Sequence, residues 1–257
     1  MSLPYETSPL LAAIPGLSHG FFGRRGGNST GIYASLNMSA VGGDKLTHVA
    51  NNRSMALDEL GFPFNALASV TQVHSSKVVT LHTHPGPGPG PQVDAMVTAV
   101  PGIALGILTA DCTPILLADP DAAVIGAAHA GWRGAIDGII ANTVAAMVEL
   151  GAEPARIIAA IGPSISLDNY EVGPQFAADL IARHRDASNR LSIPAAGGRE
   201  HFDLPGFVFD RLVAAGVGKV NEIARCTYAN PKHYFSHRRA THEGTSTGRQ
   251  MSIIGLV

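Results

Sequence analysis

Between Val93 and His129 the chain carries three apolar runs, Val93 to Thr98, Ile103 to Ala118 and Ala122 to His129, separated only by short turn-like segments. Runs this continuous, with no polar alternation, read as strands buried on both faces, with Asp119-Pro120-Asp121 as the turn between the last two. Strands outnumber helices along the chain and do not alternate regularly with them, so layered α/β sheets are expected rather than a doubly wound nucleotide fold. The composition fits thick apolar layers or a subunit interface: 46% of the 257 residues are hydrophobic and 15% charged, against about 25% charged in ordinary globular chains. A single domain over residues 1–257 is expected, since α/β folds commonly reach this length as one unit.

Elsewhere the pattern predicts a helix over Thr47 to Leu60, stopped by Gly61 and Pro63, and a strand over Leu67 to Leu81 broken at Ser75-Ser76. Further on come a helix over Ala135 to Leu150 with Gly151 as its stop, a strand over Arg156 to Ile161 and a helix from Pro174 to His184. Leu191 to Glu200 reads as loop, Leu204 to Ala215 as helix, and Val220 to Thr227 and Met251 to Leu256 as strands. Gly23 to Ser29 reads as an irregular loop. Alternating Pro and Gly over Pro85 to Pro91 can form neither helix nor ladder, so this is an exposed connector, and strand patterning resumes at once at Val93.

The formal charge of −2 gives no electrostatic footprint for nucleic acid or an anionic membrane. The longest apolar stretch, Ala99 to Ala110, is interrupted by Pro101, Gly102 and Gly106 and is too short to span a bilayer. Cys112 and Cys226 cannot build a disulfide framework, and the start of the chain lacks the basic and apolar regions of a signal peptide. A cytoplasmic protein is expected.

His74, Cys112 and His129 each lie at the edge of an apolar run. Thiolate and imidazole suit zinc or copper, and three protein ligands leave one coordination position open, as in catalytic rather than structural metal sites. No CxxC or HExxH gathers them locally, so spacing alone leaves their convergence open. Asp111, beside Cys112, is costly to bury without a partner, which suits a role near a metal or substrate. The turn Ala130-Gly131-Trp132-Arg133-Gly134 is either an anion-binding helix N-terminus or simply a glycine turn with Trp132 in the core. Phe235 to Arg239 and Thr247 to Arg249 read either as a guanidinium clamp or as solvated loops, and Asn51-Asn52-Arg53 is equally ambiguous. Cys226 reads as core, and His48, His82, His84, His184 and His201 read as surface histidines.

Taken in order, Thr71-Gln72-Val73-His74, Asp94-Ala95-Met96-Val97-Thr98, Thr109-Ala110-Asp111-Cys112-Thr113-Pro114, His129-Ala130-Gly131-Trp132-Arg133-Gly134, Ile161-Gly162-Pro163-Ser164-Ile165, Tyr170-Glu171-Val172-Gly173, Cys226-Thr227, Phe235-Ser236 with Arg238-Arg239, and Thr247-Gly248-Arg249 form one set. From about Gly20 onward the chain closely resembles the laccase-domain family. That family is also labelled multicopper polyphenol oxidase or peptidoglycan editing factor, and carries purine nucleoside phosphorylase and adenosine deaminase activities. The resemblance implies a single-domain layered α/β/β/α sandwich. It also implies a zinc site made by His74, Cys112 and His129, with copper the less favoured metal. Two departures stand out: His237 replaces an aromatic residue, and the Pro-Gly tract lengthens the loop before Asp94.

The function so implied is phosphorolysis of adenosine, inosine or methylthioadenosine, deamination of adenosine, or both, with purine nucleoside and phosphate as partners. Cys112 and Asp111 are the candidate catalytic residues, Asp111 as proton carrier. Arg53, Gln72, Arg133, Arg238 and Arg249 are the candidate substrate and anion contacts. Two alternatives remain: a Cys–His hydrolase or amidase editing a cell-wall precursor, with Cys112 as nucleophile, and a copper-dependent polyphenol oxidase. One His2Cys site cannot supply the multinuclear copper cluster that a laccase needs. The sequence does not fix the oligomeric state.

Overall fold

The computed structural model describes residues 2–86, 88, 90–193 and 198–257. Part of the Pro-Gly tract (Pro87 and Pro89) and part of the expected 191–200 loop (residues 194–197) lie outside the described residues. The chain runs β1 (Tyr5–Glu6), α1 (Pro9–Ala12), β2 (Leu17–Phe22), α2 (Leu46–Glu59), β3 (Leu67–Ala68), β4 (Val78–Leu81), β5 (Ala95–Thr98), β6 (Ala104–Thr109), β7 (Thr113–Asp119) and β8 (Val124–Ala130). It continues through α3 (Trp132–Ile136), α4 (Ile139–Glu149), β9 (Ile158–Ile161), α5 (Pro174–Arg183), β10 (Leu191–Ser192), β11 (His201–Phe202), α6 (Leu204–Ala214), β12 (Lys219–Glu222), α7 (His237–His242) and β13 (Gln250–Leu256).

Two sheets carry the fold. One has strand order β1-β2-β13-β6-β3 and the other β12-β9-β7-β8-β5-β4, while β10 and β11 form a separate hairpin. Successive side chains of a strand point to opposite faces, and in β7 Ile115 and Leu117 pack in the cluster that includes Ile139, Ile140 and Met147 of α4, whereas Leu116 and Ala118 pack against Leu105 and Ile107 of β6. On the far side of the first sheet, Met251 and Ile253 of β13 meet Ala56 and Leu57 of α2. Helix, sheet, sheet and helices therefore stack in the α/β/β/α order that the resemblance implies. Among the described residues no helix is long and apolar enough to cross a membrane.

Three local expectations are corrected. The run Ile103 to Ala118 is not one strand: it ends at Thr109 in the first sheet and restarts at Thr113 in the second, so residues 110–112 carry the chain between layers. The expected helix from Ala135 to Leu150 is two helices, because Gly138 adopts φ 96° and breaks the ladder. Leu67 to Leu81 keeps only its ends as strand, and residues 69–77 cross from β3 in one sheet to β4 in the other.

His19 in β2 is 4% exposed, and its Nε2 accepts from the Ser8 amide at 2.9 Å. Burial pulls its pKa from 6.5 down to about 4. Between those values the unfolded chain binds more protons than the folded one, so stability is complete above pH 6.5 and is lost as pH falls toward 4. The expected loss is on the order of 3 kcal/mol. It is to be read from urea midpoints across that window, and a His19→Gln variant should flatten the slope. An unchanged slope would show that His19 is not the group responsible.

Candidate metal centre

Two of the segments that cross between the sheets carry a candidate metal ligand: His74 lies in residues 69–77 and Cys112 in residues 110–112. His129 completes the group from β8, where Pro114 of β7 is its register partner. The available ligand atoms of the three residues lie within 4.8 Å of one another, and Cys112 Sγ is 3.8 Å from His74 Nε2. The imidazole rings meet edge to face, with centroids 4.8 Å apart. Tetrahedral zinc bonds put neighbouring ligand atoms about 3.3–3.6 Å apart, so spacings of up to 4.8 Å must close by about 1 Å for the set to hold one ion. No second group of three such residues occurs among the described residues.

The charges of these groups are coupled to one another. Burial alone would raise the Cys112 thiol, but the charge of His129 beside it, with hydrogen bonds from both histidines, brings it below its ordinary value. Burial would likewise push His129 down, but the Cys112 thiolate and Asp94 hold it up. Asp94 accepts from His129 Nδ1 at 2.8 Å, leaving Nε2 as the free ligand atom. Burial works against the Asp94 charge, yet its bonds from His129 and Ser75 hold the carboxyl well below the usual range. Gly131 follows the last ligand strand, and a Cβ placed there would lie 2.7 Å from His74 Cδ2 and 3.1 Å from Cys112 Sγ.

The cluster opens into a cavity of about 880 Å³ that is also lined by Arg53, Gln72, Arg133, Arg238 and Arg249. Arg53, at the middle of α2, donates Nε to Met38 O at 2.8 Å, and Arg249 Nη1 reaches Ser39 Oγ at 3.4 Å. Asn52 fixes that wall by donating to Asn37 O at 2.7 Å and accepting from the Asn28 amide at 2.8 Å. The guanidinium of Arg133 stacks 4.7 Å over Trp132 and that of Arg238 5.3 Å over Tyr170. Arg156, Arg190 and Arg211 have carboxylate partners, but among the described residues none of these four cavity arginines does. Burial pulls the Arg53 guanidinium below its ordinary value, a cost that a bound anion offsets. The glycine turn after His129 is a weaker anion site than its sequence suggests, because α3 has only five residues and little macrodipole.

Asp111 lines the cavity, 8% exposed, with Oδ1 accepting from Thr227 Oγ1 at 2.6 Å and Oδ2 from the Arg238 amide at 2.8 Å. It thus ties this inter-sheet crossing to the start of α7, a helix over a segment whose sequence suggests either a guanidinium clamp or a solvated loop. Gln72 exchanges two hydrogen bonds with the Leu108 backbone, which fixes its place on the wall. Trp132 is half-buried and serves both core and cavity. His237 stands on the rim. Cys226 is half-buried, accepts three N–H groups at 3.4 Å and takes no part in the ligand group. His82 and His84 are exposed, but His48 is half-buried, as are His184 and His201, whose rings bond to the carbonyls of Ile136 and Leu167.

Sequence reasoning missed two residues here. Asp94 was visible only as part of a motif, and its five donors come from distant segments. Tyr170, visible in the same way only within the Tyr170-Glu171-Val172-Gly173 motif, has its phenol pushed up by burial and then by the Cys112 charge and faces the cavity from the end of a 3-10 turn.

A family model described as multi-copper polyphenol oxidoreductase laccase matches residues 18–257. A Deinococcus radiodurans protein named purine nucleoside phosphorylase is 44% identical over 254 residues, covering 99% of this chain and 93% of that one. A Corynebacterium glutamicum protein of the same name is 38% identical over 237 residues, covering 92% and 93%. Crystal structures of a Neisseria meningitidis protein (TM-score 0.87, 32% identity, 100% of this chain and 99% of that one) and of YlmD from Geobacillus stearothermophilus (TM-score 0.84, 31% identity, 95% and 93%) share the fold. With the match running through all three ligand residues and both sheets, this chain belongs to the multi-copper polyphenol oxidoreductase laccase family.

Proposed function

We propose that this chain is a zinc-dependent purine nucleoside phosphorylase, acting on adenosine, inosine or methylthioadenosine, with adenosine deamination as the hydrolytic counterpart in the same cavity. The observation that carries the reading is the opening of a three-residue His2Cys group into a cavity whose arginines lack carboxylate partners. Relatives named purine nucleoside phosphorylase support it. Zinc is favoured over copper because a single His2Cys group offers no second site for a multinuclear cluster. A cytoplasmic location suits a free liganding thiol.

When bound, zinc would be held by His74, Cys112 and His129 and would supply a Lewis acid beside the nucleoside. The arginines do the rest of the binding: Arg53 and Arg249 present guanidinium groups to phosphate, and Arg133 and Arg238 keep theirs stacked and pre-oriented. Phosphate oxygen then forms a bond to the ribose C1′ as the bond from C1′ to the purine nitrogen breaks, and the proton that hydrogen phosphate gives up passes to the departing base. Asp111 is the candidate proton carrier, and its bond from the Arg238 amide holds it at the cavity wall.

A second reading has its own support, because Asp94, His129 and Cys112 are connected in the order of a Cys–His–Asp nucleophilic triad. The two separate on chelation. Adenosine incubated with metal-defined protein and phosphate should give adenine and ribose 1-phosphate, chelation should abolish this, and zinc should restore it. Inosine formed without phosphate marks deamination. Turnover that survives thorough chelation, with a covalent adduct on Cys112 by mass spectrometry, would replace the phosphorylase reading with the hydrolase one.

A further inference from the structure

Asp94 does not line the cavity and is fully buried at the start of β5. Its Oδ1 takes two hydrogen bonds, one from the ring of His129 at 2.8 Å and one from the backbone amide of His74 at 3.0 Å. Oδ2 takes the amides of Val73 at 3.2 Å and Ser75 at 2.6 Å, and the Ser75 hydroxyl at 2.7 Å. The Asp94 carbonyl also accepts the His129 amide at 2.7 Å. One residue therefore grips the side chain of one ligand and the backbone of another. His74 needs that grip: its φ is 60°, in the left-handed region that a non-glycine residue seldom occupies. Three successive amides converging on one carboxylate impose this bend.

We propose that Asp94 is the positioning residue of the centre, a single carboxylate that fixes the ring and tautomer of His129 and the left-handed backbone that aims His74. The inference rests on the metal-centre reading above. A carboxylate accepting from Nδ1 leaves Nε2 unprotonated for the ion and makes the imidazole a stronger donor. Binding through the His74 amide adds a second effect: the two histidines cannot move independently, because both are referred to the same oxygen atom. Cys112 then approaches a pair whose separation is already set.

The test is Asp94→Asn, which keeps the volume but replaces one acceptor oxygen with an amide that clashes with the converging N–H groups. Zinc affinity is measured on apo-protein by competition with a chromophoric chelator, cobalt is used as a spectroscopic stand-in, and apo-protein melting and far-UV circular dichroism report the fold. The variant is expected to bind zinc about 10–100-fold more weakly and to shift the cobalt ligand-field bands. A purely structural role would leave those bands where they are in whatever cobalt complex forms. Ser75→Ala removes the hydroxyl bond to Oδ2, along with a longer one at 3.3 Å that the hydroxyl accepts from the Lys77 amide, and tests the same grip without burying a new group. It should weaken zinc a few-fold. Wild-type affinity and an unshifted cobalt spectrum in both variants overturn the proposal. Should Asp94→Asn fail to fold, wild-type zinc affinity in Ser75→Ala alone overturns it. Weakened zinc binding in a protein that phosphorolyses no purine nucleoside would sink the functional reading and leave this inference standing.

Discussion

Replacing Cys112 by serine will leave a folded chain that holds little metal and turns over no purine nucleoside. Cys112 sits on the crossing between sheets, outside the three apolar clusters, so the fold does not depend on its side chain. What it supplies is charge. The thiolate beside His129 is the only anionic ligand of the three, and a hydroxyl that stays neutral at pH 7 replaces it poorly. Zinc affinity should fall by at least about 100-fold, the upper end of what loss of even an outer-shell partner costs. Metal per chain by plasma emission and phosphorolysis by chromatography are to be measured on the same preparation. Retained zinc with lost activity would mark Cys112 as a nucleophile instead, and retention of both would remove it from the site.

Gly131→Ala is the second large effect expected, and it needs no change of chemistry. The backbone of Gly131 has φ −73°, which alanine adopts freely, so any loss comes from the added methyl group alone. That methyl would sit 2.7 Å from a ring carbon of His74 and 3.1 Å from Cys112 Sγ, both inside van der Waals contact. Relief requires His74 to swing outward or α3 to shift, and overpacking of this kind costs about 1–3 kcal/mol. Because the strain falls on two ligands, most of it should appear as metal affinity, roughly 10–100-fold, with a small change in the melting temperature of the apo-protein. Equal losses in apo stability and none in affinity would show that α3 yields instead.

His74, Cys112 and His129 could be picked out as candidates at the edges of apolar runs, but spacing left their meeting open, and it was the ordered motif set that grouped them. Layered sheets were legible from apolar runs that need cover on both faces, while the α/β/β/α order came from the family resemblance. What the sequence could not reveal was where the chain leaves one sheet for the other. An uninterrupted run such as Ile103 to Ala118 looks the same whether it stays in a sheet or crosses at residues 110–112. The role of Asp94 was hidden for a related reason, since a buried carboxylate acquires its meaning from donors 19 to 35 residues away. Helix α7 escaped because His237-Arg238-Arg239 reads as solvated charge until Ser236 is seen capping the Arg239 amide at 3.1 Å. The four cavity arginines were picked out as individual cations, and only the fold brings Arg53 and Arg249 together across 195 intervening positions, against one wall built from residues 37–39.

Two of the crossings between the layers give this protein an unusual mechanical arrangement. His74 and Cys112 lie on the strands of chain that leave the first sheet, and His129 is rooted in the second. An ion shared among them would clamp two stretches of chain, far apart in sequence, onto the end of β8. Occupancy then governs cohesion as well as chemistry: at free metal 100 times the dissociation constant, linkage adds about 2.7 kcal/mol to the folded state. The cell's metal supply would in this way tune how long the protein persists, and a chain starved of its ion would loosen first at the mouth of its own cavity.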